Sequence, residues 1–103
     1  INKGIVVTKY TGSRGKGGTN DANAEYVAKI HRLFNDGKVA WQTGELGKVD
    51  EGGGGTVAKY IANLGVEVVD VGVPVLSMHA PFEVVAKYDV YMAFKGFKAF
   101  LEQ

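Results

Sequence analysis

The chain has 103 residues, 46% of them hydrophobic, and its 12 basic and 11 acidic residues give a net charge of +1. This length suits one modest core or part of a larger one, and the near-neutral charge argues against partnership with nucleic acid or an anionic membrane. Because the chain has no cysteine, any metal must be held by histidine and carboxylates, and the composition fits a cytoplasmic protein.

Two further features concern the setting of the chain. No apolar run reaches the roughly 20 residues of a membrane-spanning helix. The start, Ile1-Asn2-Lys3-Gly4, has neither an initiator Met nor a signal-peptide pattern. We therefore expect a chain that begins inside a longer open reading frame.

The first half of the chain predicts a strand, a helix and a second strand. Residues 5–10 are β-branched and aromatic, which is typical of a strand. The glycine-rich residues 12–18 follow, with helix N-cap candidates at residues 19–21. A helical apolar face then ends at residues 35–37, and residues 38–43 predict the second strand. The apolar face consists of Tyr26, Val27, Ile30, Leu33 and Phe34.

The middle of the chain predicts a helix and a buried strand. Residues 44–55 form a glycine-rich connection to a helix that Gly65 ends in a left-handed conformation. Residues 66–71 are nearly all apolar, which predicts a central strand covered on both faces. The apolar face of the helix consists of Thr56, Val57, Ala58, Ile61, Ala62 and Leu64.

Two helices are predicted near the end of the chain. Pro81 suits the first position of a short helix, with Glu83 in its first turn, where the helix dipole favours an anion. Asp89 is the predicted cap of the last helix. Apolar residues at positions i, i+4, i+7 and i+11 predict the face of this helix that lies on the core. They are Val90, Phe94, Phe97 and Leu101.

This alternation of strands and helices predicts an α/β fold, a three-layer arrangement in which a parallel or mixed sheet has helices on both faces. Residues 1–103 contain no internal repeat or linker, so one domain or part of one is expected.

The glycine-rich segments do not match the known nucleotide-binding motifs. Lys16 is followed by Gly17 instead of Ser or Thr, which excludes a P-loop, and neither segment has the Gly-x-Gly-x-x-Gly spacing of a dinucleotide site. The helix start at Gly55-Thr56 still offers free N–H groups to a carboxylate or carbonyl oxygen. The alternative is that these glycines only make a tight turn.

The two histidines have different settings. His31 lies at the edge of an apolar helix face, where a boundary residue is the simplest interpretation. His79 lies in a loop between a strand and a helix, where α/β proteins place their ligands. A catalytic zinc needs about three protein ligands, so His79 alone does not make a metal site.

Residues 70–83 (DVGVPVLSMHAPFE), with the Gly-Gly-Gly-Gly-Thr run at 52–56 and Phe-Lys-Ala-Phe at 97–100, resemble the C-terminal end of the aspartyl aminopeptidase (aminopeptidase I) family of zinc peptidases. The resemblance covers essentially the whole chain and is strongest to bacterial members. It implies that residues 1–103 are the C-terminal portion of one metallopeptidase catalytic domain.

The resemblance implies specific roles. His79 of the Leu-Ser-Met-His motif would be a zinc ligand, and the other ligands and the general base would precede Ile1, so the chain alone would be inactive. Two zinc ions per full subunit are expected, with cobalt or manganese as alternatives. The implied substrate is a peptide with an acidic or neutral N-terminal residue, and the implied assembly is a dodecamer. Residues implied to bind substrate are Lys9, Arg14, Lys16, Gly54, Gly55 and Thr56.

Two interpretations of another class stay open at this point. One is a non-catalytic α/β fragment that keeps the fold without the chemistry. The other is an anion-binding module that uses the glycine-rich helix starts.

Overall fold

The computed structural model describes residues 1–12, 19–44 and 57–103. Its strands are β1 (Ile5–Thr8), β2 (Tyr10–Gly12), β3 (Thr19–Asp21), β4 (Trp41–Thr43) and β5 (Asp70–Gly72). Its helices are α1 (Ala24–Asp36), α2 (Val57–Ala62) and α3 (Lys87–Leu101). The described residues divide into a first unit of residues 1–6, 30–42 and 71–103, and a second unit of residues 7–29 and 43–70.

The main sheet has three strands in the order β4-β1-β5, and β2 and β3 form a separate antiparallel pair. The N–H of Ile5 donates to the carbonyl of Ala40 at 3.0 Å, and the N–H of Gly44 donates to the carbonyl of Val7 at 3.3 Å. Residue numbers increase in the same direction along β1 and β4 between these two bonds, which is the pattern of parallel strands joined by a crossover helix. The α/β prediction is confirmed as a small sheet with helices.

The core of the first unit forms where α1 and α3 approach β1. Ile5 is fully buried, and Ile30 and Phe34 of α1 are nearly so. A Cβ atom on Gly96 of α3 would lie 3.3 Å from both the Ile5 side chain and the Phe34 ring. Because a larger residue would have to displace these groups, the close contact between α3 and the core depends on glycine at this position.

The apolar face predicted for α3 is wrong. Its bulky residues are exposed, with Phe94, Phe97 and Leu101 at 60%, 50% and 78%, whereas Met92, Ala93 and Gly96 are buried. The close approach to Ile5 and Phe34 selects small residues, so the face with the largest side chains does not lie on this core.

Asp89 does not cap α3. The N-cap residue is Ala86, which makes no side-chain capping bond, and Asp89 lies inside the first turn. Its fully buried carboxylate accepts hydrogen bonds from the backbone N–H groups of Asn2 at 2.6 Å and Gly4 at 2.8 Å. The residue therefore fastens the start of the chain to the last helix of the first unit.

The second unit contains the β2–β3 pair and α2. Tyr10 pairs with Asp21 and Gly12 with Thr19, so residues 19–21 form a strand and the N-cap prediction for them is wrong. The N-cap lies two residues after Asp21, because the Asn23 side-chain oxygen accepts the N–H of Tyr26 at 2.8 Å. Asn23 also donates to Glu67 through its side-chain amide.

Two predictions for the segment of residues 57–72 fail in part. The strand predicted over residues 66–71 shortens to β5 and lies at one edge of the sheet, with β1 in the centre. In α2 only Ala58 is buried, while Val57 and Ile61 are exposed. Gly65 has φ +81°, which confirms the predicted left-handed end.

Within the three described ranges, no helix is both long and apolar enough to cross a membrane.

Candidate functional site

The segment between β5 and α3 closes into a loop that carries His79. Leu76 and Val84 form an antiparallel bridge through two backbone hydrogen bonds of 2.9 and 3.1 Å. Inside this bridge the N–H of Ala80 donates to the carbonyl of Ser77 at 3.0 Å, which makes a turn. Residues 76–84 thus form a small loop whose two ends are joined, with His79 exposed near its tip.

The backbone of this loop is left-handed at two positions other than glycine. Ser77 has φ +60° and His79 has φ +70°. His79 takes the third position of the turn, where a positive φ ordinarily calls for glycine or asparagine. Holding a larger residue there costs on the order of 1 kcal/mol or more, so the surrounding contacts must stabilise this conformation.

Glu83 supplies one of those contacts. Its carboxylate oxygen Oε1 accepts the backbone N–H of His79 at 2.6 Å. The short helix predicted to start at Pro81 is wrong, because residues 81–86 are irregular and α3 starts at Lys87. The predicted role of Glu83 therefore changes from a helix-dipole anion to an acceptor for the histidine backbone.

The donor chemistry of the described residues fits one metal ligand and not a complete site. The exposed His79 side chain offers an imidazole nitrogen, which zinc accepts readily. The part of the chain that the structure describes contains no group of three or more His, Cys, Asp or Glu residues that could hold a metal ion. His79 can thus serve only together with ligands from elsewhere.

The other histidine has a packing role, as expected for a boundary residue. The ring of His31 stacks on Trp41, with ring centroids 3.9 Å apart and an angle of 11° between the planes. Trp41 in turn donates its indole N–H to Asn35 at 2.8 Å. His31 therefore packs its ring against Trp41 at the start of β4.

Of the residues predicted to bind substrate, Lys9 alone lies within the described ranges. Its ammonium group pairs with Asp21 at 3.0 Å, and both side chains are more than half exposed. The pair links the residue between β1 and β2 to the end of β3. The remaining predicted residues lie outside the described residues: Arg14, Lys16, Gly54, Gly55 and Thr56.

Comparison with known proteins decides the family. The model of a family described as aminopeptidase I zinc metalloprotease (M18) matches residues 1–101. The chain belongs to the M18 family. The family resemblance inferred from residues 70–83, which include the Leu-Ser-Met-His motif, is confirmed.

Individual M18 relatives cover nearly all of this chain. It is 55% identical over 101 residues to a probable M18 family aminopeptidase 1 of Clostridium acetobutylicum, an overlap of 98% of this chain and 22% of the relative. It is 46% identical over 100 residues to the Thermotoga maritima protein of the same description, covering 97% of this chain and 22% of the relative. The chain spans about a fifth of the length of these M18 relatives.

Solved M18 structures have the same fold over this segment. The crystal structure of aminopeptidase I from Clostridium acetobutylicum superposes with a TM-score of 0.88, covering 97% of this chain and 22% of that one at 55% identity. The Thermotoga maritima aminopeptidase of the M18 family gives a TM-score of 0.87, covering 95% of this chain and 22% of that one at 46% identity.

Sequence reasoning missed the way this M18 segment closes its histidine loop. The bridge between Leu76 and Val84 has no strand pattern, because it pairs single residues. The only sequence signal for the carboxylate partner is the spacing of four residues between His79 and Glu83, which is also common by chance.

Proposed function

We propose that this chain supplies His79 as a zinc ligand to an M18 aminopeptidase whose other ligands lie outside these 103 residues. The observation that carries the proposal is the exposed loop of residues 76–84, which holds His79 in a left-handed conformation within a chain of the M18 family. Backbone strain of this kind concentrates at functional sites, where surrounding contacts hold it.

With His79 among its ligands, a bound zinc would supply Lewis-acid chemistry towards the scissile carbonyl and the attacking water. The part of His79 is to present a neutral imidazole nitrogen from a loop that is closed at both ends. Under this proposal the 103-residue chain alone is inactive, because the family resemblance assigns the remaining zinc ligands and the general base to residues outside it.

We infer that the substrates are peptides with an acidic or neutral N-terminal residue. Lys9, Arg14 and Lys16 are the cations proposed to face an acidic side chain. The charge of Lys9 is partly offset by Asp21, which reduces its pull on a second carboxylate. This pairing favours a role for Lys9 in shaping the segment over a role as the sole anion-binding group.

The remaining proposals concern the whole protein. We infer a three-layer catalytic domain to which residues 1–103 contribute the C-terminal portion, two zinc ions per subunit with cobalt or manganese as alternatives, and Gly54, Gly55 and Thr56 near the substrate. We also infer a cytoplasmic homo-oligomer, a dodecamer by the resemblance. Light scattering after size-exclusion chromatography tests the oligomeric state.

The two histidines provide a matched test in the purified protein that contains this chain. Zinc content is measured by mass spectrometry, and release of N-terminal residues is measured on Asp, Glu, Ala and Leu p-nitroanilides. His79→Ala should weaken zinc binding by more than the roughly 10- to 100-fold typical of outer-shell partners, and should abolish release. His31→Phe keeps the stack on Trp41 and should retain both properties. Absence of zinc, cobalt and peptidase activity in the unmutated protein would contradict the proposal.

The anion-binding alternative makes a different prediction. Phosphate should raise the thermal midpoint of such a module, and this stabilisation should survive His79→Ala, because helix N–H groups would bind the anion. A phosphate effect of this kind, without metal binding, would replace the aminopeptidase proposal.

A further inference from the structure

We propose that Glu83 is a positioning residue for His79, and this inference rests on the proposed role of His79 as a zinc ligand. The carboxylate does not act on the imidazole ring. It holds the backbone N–H of His79, the residue whose side chain would bind zinc, through the 2.6 Å bond between Oε1 and the His79 nitrogen.

The loop needs such a contact because two of its residues are in the left-handed region. The bridge between Leu76 and Val84 fixes the two ends, and the turn from Ser77 to Ala80 fixes one side. Neither contact restrains the N–H group of His79, which is bound by Glu83 alone among the hydrogen bonds of the described residues. Loss of that acceptor lets residue 79 relax towards negative φ, where most residues are more stable.

Rotation of the His79 backbone would move the imidazole, because the direction of the Cα–Cβ bond follows φ and ψ. A metal ligand contributes its full affinity only if its donor atom is already placed when the ion binds. A bond from an N–H to a carboxylate is shorter and stronger than a bond between neutral groups, which suits Glu83 to this role. Its exposure to water lowers the expected effect to the lower end of the outer-shell range.

The test compares Glu83→Ala and Glu83→Gln in the purified protein that contains this chain. Glutamine keeps an acceptor oxygen at the same distance along the side chain, removes the charge and replaces the second oxygen by an amide donor. Zinc affinity is measured by competition with a chromophoric chelator, and exchange of the amides in residues 76–84 is measured by deuterium uptake. Glu102→Ala removes an exposed acid near the end of α3 and is the matched control. Circular dichroism confirms that each variant is folded.

Positioning predicts that Glu83→Ala weakens zinc binding about tenfold and speeds deuterium uptake at His79. Glu83→Gln should restore most of both, and Glu102→Ala should change neither. Equal losses of zinc affinity in Glu83→Ala and Glu83→Gln, without faster deuterium uptake at His79, would mean that the charge itself binds the metal or moves a proton, which would overturn positioning. Unchanged zinc affinity in Glu83→Ala would overturn it as well.

The same measurements separate this inference from the proposed function. Zinc binding that depends on His79 and is indifferent to Glu83→Ala refutes only the positioning role. Zinc binding that is indifferent to His79→Ala refutes the proposed function, and the positioning role falls with it.

Discussion

Replacement of Asp89 by alanine should be one of the most destabilising single changes in the first unit. The carboxylate is fully buried and accepts the N–H groups of Asn2 and Gly4. Its removal leaves the buried Gly4 N–H without an acceptor, at a cost of about 1–3 kcal/mol. The partly buried bond to Asn2 adds about 1 kcal/mol, so we expect a loss of about 3 kcal/mol in the free energy of unfolding.

Asparagine at position 89 separates hydrogen bonding from side-chain volume. Asp89→Asn keeps one acceptor oxygen but directs an amide donor towards the second N–H group, so we expect a loss of about 2 kcal/mol. The exposed Asp36, at the end of α1, is the control, and Asp36→Asn should change stability by less than about 0.5 kcal/mol.

Urea unfolding measures these differences. Trp41 is the single tryptophan of the chain and lies in the first unit, so its fluorescence reports on the part that Asp89 fastens. Linear extrapolation gives the free energy of unfolding for each variant. A loss below about 0.5 kcal/mol for Asp89→Ala would refute the reasoning, because one buried and one partly buried hydrogen bond cannot be removed with as small a loss as a surface substitution causes.

Two other predictions use the same unfolding assay. Gly4→Ala should lower the free energy of unfolding several times as much as Gly72→Ala. Gly4 has φ +114° and an added Cβ would lie 2.2 Å from the Ala40 carbonyl oxygen, whereas a Cβ on Gly72 meets nothing within 4 Å. Similar losses of stability in the two variants would contradict this account. Phe34→Ala should cost about 3–5 kcal/mol and Phe97→Ala less than about 1 kcal/mol, because Phe34 is 3% exposed and Phe97 is 50% exposed. Equal losses of unfolding free energy in Phe34→Ala and Phe97→Ala would show that Phe97 is part of the core.

Helix α1 shows what the sequence predicts well. Its apolar residues recur with helical spacing from Tyr26 to Phe34, and Ile30 and Phe34 are buried as expected. The polar residues before Gly37 end the helix at Asp36, also as expected. A long amphipathic pattern of this kind is decided by local spacing and one buried face, so tertiary contacts do not override it.

Helix α3 shows where that reasoning fails. Its spacing predicts a helix correctly, but size and apolarity do not identify the face on the core. That face is set by the distance to Ile5 and Phe34, which admits only Gly96 and small neighbours. Such a distance is a tertiary property and has no counterpart in the periodicity of the sequence.

The sequence predicts where the candidate site lies, but it does not predict the backbone conformation and hydrogen bonds that form it. The location of His79 after a strand and the Leu-Ser-Met-His motif were both readable from the sequence. The left-handed backbone of Ser77 and His79 was not, because a positive φ is uncommon for any residue other than glycine. The hydrogen bond from the His79 N–H to Glu83 depends on that conformation, so the sequence did not predict it either.

The bonds from Asp89 to Asn2 and Gly4 also govern the order in which the chain folds. Asp89 accepts hydrogen bonds from Asn2 and Gly4, which lie 87 and 85 positions earlier in the sequence. Closing a loop of this length costs about 4 kcal/mol of chain entropy before any contact offsets it. During synthesis from the N-terminus, Ile5 has no α3 to cover it until Gly96 has left the ribosome. The first unit therefore closes only after residues 87–96 have been made, and refolding of this unit should be slow for its size.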